Sequence, residues 1–152
     1  MALLRLALVA LAGCSPAGAQ PSPASGITPP AGWQALPDLA KQVVDATKAT
    51  GSEAWGETAR GCYAVWFTLK GAGAKVDAVL AGLAAEKIAT TNVVTPESDD
   101  GVIAASFTKG SYGGRLRARI AGDTITALAC FANEREPKTC ESPCTTLLGA
   151  LP

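Results

Sequence analysis

Residues 115–132 have the alternating pattern of a β-hairpin, and this pattern restricts the fold more than any other in the chain. Two strand-like runs, residues 115–121 and 124–132, are separated only by Gly122 and Asp123, which suit a two-residue turn. With that turn Ile120 faces Ile125. One face of the hairpin therefore carries apolar side chains, namely Leu116, Ala118, Ile120, Ile125, Ala127 and Ala129, and the other carries Arg115, Arg117 and Arg119.

Three further segments have the composition of strands. Residues 62–69 are almost uninterruptedly apolar, which predicts a central strand covered on both faces. Residues 102–108 predict a strand that precedes the hairpin, and residues 91–95 predict a short one. The acidic stretch at residues 96–101 between them has turn composition.

Three helices complete the prediction. The first runs from Leu36 or Pro37 to about Thr50 and ends at Gly51, and the second covers residues 75–87. The third begins at Ser142, with Pro143 in its first position. The apolar side chains expected to face the sheet are Val76, Val79, Leu80 and Leu83 on the second helix and Leu147, Leu148 and Leu151 on or beside the third. Together these elements predict an α+β fold, with an antiparallel sheet of about four to five strands and helices packed on it.

Composition indicates one globular domain over residues 33–152. The chain is 48% hydrophobic, enough for a single core, and its 13 basic residues balance its 13 acidic ones. A neutral chain has no net field to gather nucleic acid, so nucleic-acid binding is not expected. No cofactor is expected either. The glycines of residues 71–75 lie between a strand and a helix, but their spacing matches neither the dinucleotide-binding fingerprint nor the Walker phosphate-binding loop. We therefore interpret them as a sharp turn.

The first 13 residues have the organisation of an export signal. Arg5 is followed by an apolar run that is too short to span a membrane and ends in small residues. The sequence Leu11-Ala12-Gly13-Cys14 resembles the lipobox of bacterial lipoproteins. That resemblance implies cleavage before Cys14, lipidation of its thiol, permanent attachment to a membrane, and, with Ser15 next, sorting to the outer membrane of a Gram-negative cell.

A second cleavage site competes with the first. Residues 17–19 match the small-x-small pattern of ordinary signal peptidase, which would release a soluble secreted protein beginning at Gln20. In either case the segment up to Gly32 is rich in Pro, Ser and Gly and has no charge, which predicts a disordered linker over residues 14–32.

Four cysteines remain after processing, namely Cys62, Cys130, Cys140 and Cys144. In an exported protein they predict two disulfides. Three pairings are open, and the positions of the predicted strands favour Cys62 with Cys130 and Cys140 with Cys144. The alternative is a redox pair at Cys140 and Cys144, near a helix start that would lower the thiol pKa.

The order of elements resembles the PsbP-like class of α/β sandwich over roughly residues 33–151. That class shares a shape more than an activity, so the resemblance implies the fold and no functional residue.

Few residues point to chemistry. Arg115, Arg117 and Arg119, aligned on one strand face, are candidates for binding an anion, against the alternative of a solvated or helix-covered face. The acidic turn containing Glu97, Asp99 and Asp100 lacks the spacing of a calcium loop, so no metal site is expected. The chain has no histidine, which excludes imidazole bases and histidine-ligated metals. A carboxylate dyad stays open, because sequence separation does not show which carboxylates meet.

These features predict an envelope-anchored lipoprotein. Its disulfide-stabilised domain would bind another envelope protein or a small ligand, or act as a scaffold, and no catalytic residue is assigned. Thiol-disulfide exchange is the enzymatic alternative.

Overall fold

A computed structural model describes residues 24–71, 75–134 and 138–151. It contains a seven-stranded, wholly antiparallel sheet with strand order β1-β2-β3-β7-β6-β5-β4. The strands are β1 Gln34–Ala35, β2 Gly51–Glu57, β3 Cys62–Lys70, β4 Ala89–Val94, β5 Gly101–Lys109, β6 Tyr112–Ala121 and β7 Thr124–Ala132; the helices are α1 Pro37–Thr47, α2 Val76–Ala85 and α3 Glu141–Gly149. The predicted α+β class is confirmed, but the sheet is larger than the four to five strands expected.

The hairpin that dominated the prediction is confirmed in its register. Ile120 pairs with Ile125 across the turn, and Arg119 pairs with Thr126. Because directly opposed residues share a face, the six apolar side chains of the predicted face lie together on one side of the sheet. The three arginines lie on the other side, which they share with Leu128 and Cys130 of β7. The central strand is also confirmed: β3 pairs with β2 on one side and β7 on the other, and both of its faces are packed.

The helices cover the sheet unequally. α1 contacts β2 and β3, and α2 packs against the apolar face of β5 and β6, where Val76, Val79 and Leu80 meet the cluster around Ile103. α3 lies on the opposite face against β6 and β7. Leu147, Leu148 and Leu151 are buried there, as predicted. The third helix begins at Glu141, one residue before its predicted start, and Cys140 is its N-cap.

The region around Gly51 differs most from expectation. α1 ends at Thr47, where Lys48 adopts a left-handed conformation with φ 60°. Gly51 does not end the helix but begins β2, a strand missing from the prediction. The strand was missed because its residues include two glycines, a serine and two glutamates, which dilute the strand pattern. Pairing with β3 along the full length of β2 overrides that weak local preference.

The packed part of the chain begins before residue 33. Ile27 is 3% exposed and belongs to the same core cluster as Trp33. The hydroxyl and backbone N–H of Ser25 both donate to the Glu53 carboxylate on β2. Ser25 and Ile27 therefore contact the domain although they lie within the predicted linker, and Ile27 supplies an apolar anchor there. Residues 14–23 of that linker, including Cys14, and the predicted signal lie outside the described residues.

In residues 24–71, 75–134 and 138–151, no helix is long and apolar enough to cross a bilayer.

Candidate apolar binding site

A large trough lies between α1 and α2 on the apolar face of the sheet. Its volume is about 600 Å³, within the range of about 300–1,000 Å³ that is typical of small-molecule sites. The sheet forms the floor, α1 forms one wall and α2 forms the other. Lining side chains come from β3, β5, β6 and β7 as well as from both helices.

Small residues in the floor give the trough its depth. Ala127 and Ala129 on β7 lie next to Ala118 on β6, and all three line the space between the helices. Each alanine side chain ends at Cβ, so the floor lies lower there than under a leucine or phenylalanine. Larger side chains surround this depression, including Phe67 and Phe131. The alternation that packs the sheet therefore also shapes the cavity.

Small residues also keep the top of the trough open. Ala78 and Gly82 are one turn apart on the side of α2 that lines the trough, and Ala46 lines it from α1. A Cβ atom built at Gly82 would have no neighbour within 4 Å. The two helices therefore do not pack against each other here, and neither has a fully buried residue.

The floor exposes apolar area that a closed core would hide. Phe67, Leu69, Ile125 and Phe131 are all only half-buried, although they lie under the two helices. Water in contact with such side chains is unfavourable by about 25 cal/mol per Å² of apolar surface. An occupant that displaced this water would be stabilised by the same effect.

The two ends of the trough differ in polarity. At the β5–β6 turn, Lys109 lies opposite Tyr112, and the Lys109 ammonium is 4.0 Å from the Glu86 carboxylate. Tyr112 packs edge-on against Phe131, with ring centroids 5.9 Å apart. At the other end the trough is lined by Leu69 and Ile125 and by Thr47, whose hydroxyl donates to the Val43 carbonyl oxygen within α1. The charged side chains that line the trough are Glu86 and Lys109, both at one end.

The opposite face of the sheet carries the two disulfides. All four predicted cysteines are bridged, but Cys62 pairs with Cys140 and Cys130 with Cys144, with Cα–Cα distances of 5.7 and 5.5 Å. The pairing favoured by the sequence is therefore wrong. Cys62 is opposite Ala132 and not opposite Cys130, so the two strand cysteines are offset along neighbouring strands on the same face. Each instead meets one cysteine at the start of α3.

This connectivity also bears on the redox alternative. Cys140 and Cys144 are not bonded to each other, and the four cysteines are at most 4% exposed. Thiol exchange requires access for an attacking thiolate. The described geometry gives no support to a redox pair at these positions, and the bridges hold α3 to the centre of the sheet.

The three predicted anion-binding arginines share a face, as expected, but α3 covers part of it. Arg115 donates to the Glu141 carbonyl oxygen at 3.3 Å and to the Thr145 hydroxyl at 2.7 Å, and Arg117 donates to the Leu148 carbonyl oxygen at 3.0 Å. Arg119 is exposed. Two of the guanidinium groups thus hold α3 in place, and binding of an anion at this face stays a prediction.

The remaining sequence candidates lie apart from the trough. Residues 72–74 of the glycine-rich turn are outside the described residues. In the acidic turn, the Asp100 carboxylate accepts a hydrogen bond from the backbone N–H of Gly122, and Asp99 lies 4.0 Å from Lys75. Within the described ranges, no three His, Cys, Asp or Glu side chains come together in a geometry that could hold a metal ion.

Searches against protein families, curated proteins and solved structures found no match for this chain. The resemblance to the PsbP-like class stays a prediction.

The sequence pattern does not predict the trough, although it places the hairpin residues of the floor on one face of the sheet. The available signal was that three of the six apolar positions on the hairpin face are alanine. Alanine under a helix leaves space unless a larger side chain descends from above. That second condition depends on where α1 and α2 lie, which the sequence pattern does not give.

Proposed function

We propose that this domain binds a small apolar molecule in the trough between α1 and α2, and that a lipid on Cys14 anchors the protein to a bacterial envelope membrane. The observation that supports the binding role is the open cavity of about 600 Å³ whose floor is lined by half-buried apolar side chains. Contiguous exposed apolar surface of this kind is typical of binding sites.

The difference in packing between the two faces of the sheet supports the same proposal. α3, two disulfides and two arginines consolidate one face. In the part of the chain that the structure describes, the trough face has no disulfide, and neither α1 nor α2 has a buried side chain. The cross-linked α3 face supports the sheet from one side, while the trough face on the other side stays open. A rigid support beneath an open surface is suitable for a ligand site.

The anchoring part rests on the sequence and on the bridges. Disulfides persist mainly in oxidising compartments outside the cytosol, which agrees with an export signal before Cys14. Release as a soluble protein after Ala19 and binding of an envelope protein partner are the alternatives. No catalytic residue is proposed.

Binding can be tested with N-phenyl-1-naphthylamine, a neutral apolar dye that fluoresces when it leaves water. The protein would be the oxidised full chain carrying Cys14→Ser, which prevents lipidation. We expect saturable binding of about one dye per chain, competed by other apolar molecules. A linear, non-saturating increase in fluorescence would refute the binding role.

Anchoring can be tested separately on protein isolated from native envelopes. The expected N-terminal peptide begins at Cys14 and carries acyl chains, as shown by mass spectrometry. An unmodified N-terminus at Gln20 would refute the anchor and favour a secreted protein, without affecting the ligand site.

A further inference from the structure

The proportions of the trough indicate what kind of apolar molecule it takes. We infer that the ligand is an amphiphile with one long acyl chain, lying along the trough with an anionic head at the Lys109 end. This inference rests on the proposed binding function and specifies its ligand class.

The length of the trough suits one acyl chain. Its floor follows β7 from Ile125 to Phe131, a distance of about 20 Å at about 3.4 Å per residue. An acyl chain in a bilayer covers half of a hydrocarbon core of about 30 Å, or about 15 Å. A membrane-length chain therefore fits within the floor, with room for the start of a head group.

The width favours a hydrocarbon chain over a helix. A volume of about 600 Å³ spread over about 20 Å gives a path about 6 Å across for the centre of a water molecule, or about 9 Å between the walls once a radius of about 1.4 Å is added on each side. An α-helix with its side chains is about 10–12 Å in diameter. A helix would therefore fill the trough only after α1 and α2 moved apart, whereas a hydrocarbon chain fits without such a movement.

The chemistry of the floor excludes an extended peptide. The backbone groups of β3, β7 and β6 are already paired on both sides within the sheet. A peptide strand lying in the trough would leave its own N–H and C=O groups without partners in an apolar environment, which is strongly unfavourable. A hydrocarbon chain has no such groups, so it is the linear occupant that the lining accepts.

The head is assigned to one end because the two charged side chains of the described lining, Lys109 and Glu86, both lie there. Lys109 and Tyr112 face the trough at the β5–β6 turn, while Leu69 and Ile125 line the far end. The Lys109 side chain is 54% exposed, and its 4.0 Å contact with Glu86 is long for an ion pair. The ammonium is therefore free to turn toward a carboxylate or phosphate at the mouth.

The ligand class can be tested by the dependence of affinity on chain length. Saturated fatty acids of increasing length would displace the naphthylamine dye from the oxidised Cys14→Ser chain, below their critical micelle concentrations. We expect affinity to rise by up to about fourfold per methylene. The rise should level off once the extended chain is longer than the floor of about 20 Å.

Two variants locate the chain within the trough. Gly82→Leu adds a side chain at the opening, and Ala81→Leu is the matched control because Ala81 is exposed on the same helix and does not line the trough. We expect at least a tenfold loss of fatty-acid affinity for Gly82→Leu and less than a twofold change for Ala81→Leu. Ala129→Leu, which raises the floor, should reproduce the loss. Circular dichroism melting confirms that each variant is folded.

The head position is tested by Lys109→Gln, with Lys70→Gln at the other end of the sheet as control. Lys109→Gln should weaken a fatty acid about threefold to fivefold and leave the fatty alcohol of equal length unchanged, as expected for an exposed charge pair. Equal effects on acid and alcohol would overturn the head assignment.

The outcomes separate the inference from the proposed function. Saturable dye binding without displacement by any acyl chain would overturn the ligand class and leave an apolar binding site in place. Absence of saturable dye binding would overturn both. Affinity that does not depend on chain length, or an unchanged affinity in both Gly82→Leu and Ala129→Leu, would place the chain outside the trough.

Discussion

The two disulfides should stabilise the domain by different amounts, because they close loops of different length. Cys62 and Cys140 are 78 residues apart, and Cys130 and Cys144 are 14 apart. A cross-link restricts the unfolded chain, and the loss of unfolded-state entropy increases with the logarithm of loop length. That relation gives about 4.5 kcal/mol for the longer loop and about 3 kcal/mol for the shorter one at 25 °C.

Paired substitutions isolate this difference. Cys62→Ala with Cys140→Ala removes one bridge, and Cys130→Ala with Cys144→Ala removes the other. All four side chains are at most 4% exposed, so the packing lost with the sulfur atoms is similar in the two variants. We expect the first variant to be less stable than the second by about 1.5 kcal/mol, the difference between the two loop terms.

Urea unfolding under non-reducing conditions, followed by circular dichroism, measures both free energies of unfolding. The slope m should rise in both variants, because the unfolded chain becomes less compact. Equal stabilities, or a less stable variant on removal of the 14-residue link, would refute the loop argument. Peptide mapping of the oxidised protein is the control for connectivity, and a Cys62–Cys130 peptide would contradict the structure itself.

Three further predictions concern single positions. Gly114→Ala should lower the free energy of unfolding in urea by about 1–3 kcal/mol, because the added Cβ would overlap the backbone of β7. Gly149→Ala is the control, since the added Cβ would enter open space and should not destabilise the domain. Equal effects of the two substitutions would contradict the contact at Gly114. Arg117→Met keeps the side-chain stem but removes the donor to the C-terminal turn of α3, and we expect a loss of about 1 kcal/mol in the same assay, with no loss if the bond contributes nothing. The hydrogen bond from Lys41, and then its charge, hold the pKa of Asp45 below its ordinary value near 3.8. Lys41→Ala should therefore raise that pKa toward 3.8, as followed by NMR titration of the carboxyl carbon, and an unchanged pKa would show that the pair does not form in solution.

The parts of the fold that the sequence predicted are those set by local rules. A two-residue turn fixed the register of β6 and β7, and the unbroken apolar run of β3 placed it in the centre of the sheet. The parts that were missed depend on distant neighbours. β2 is a strand because β3 pairs with it, and Ile27 is buried because Trp33 and the α3 face accept it.

The candidate site shows the same division. The three alanines of the floor were assigned correctly to one face, yet their consequence appeared only once α1 and α2 were placed. The predicted disulfide pairing was wrong because it assumed that two cysteines on neighbouring strands are close enough to bond. Cys62 and Cys130 lie on adjacent strands, but a two-residue offset separates them and α3 presents a closer partner to each.

The interlaced bridges have a consequence for biosynthesis. Along the chain the bridged cysteines occur in the order Cys62, Cys130, Cys140 and Cys144, and each native bond skips one of them. An oxidant that joined these cysteines in chain order would form Cys62–Cys130 and Cys140–Cys144, and neither bond is native. The native bonds would then be reached only by thiol–disulfide exchange.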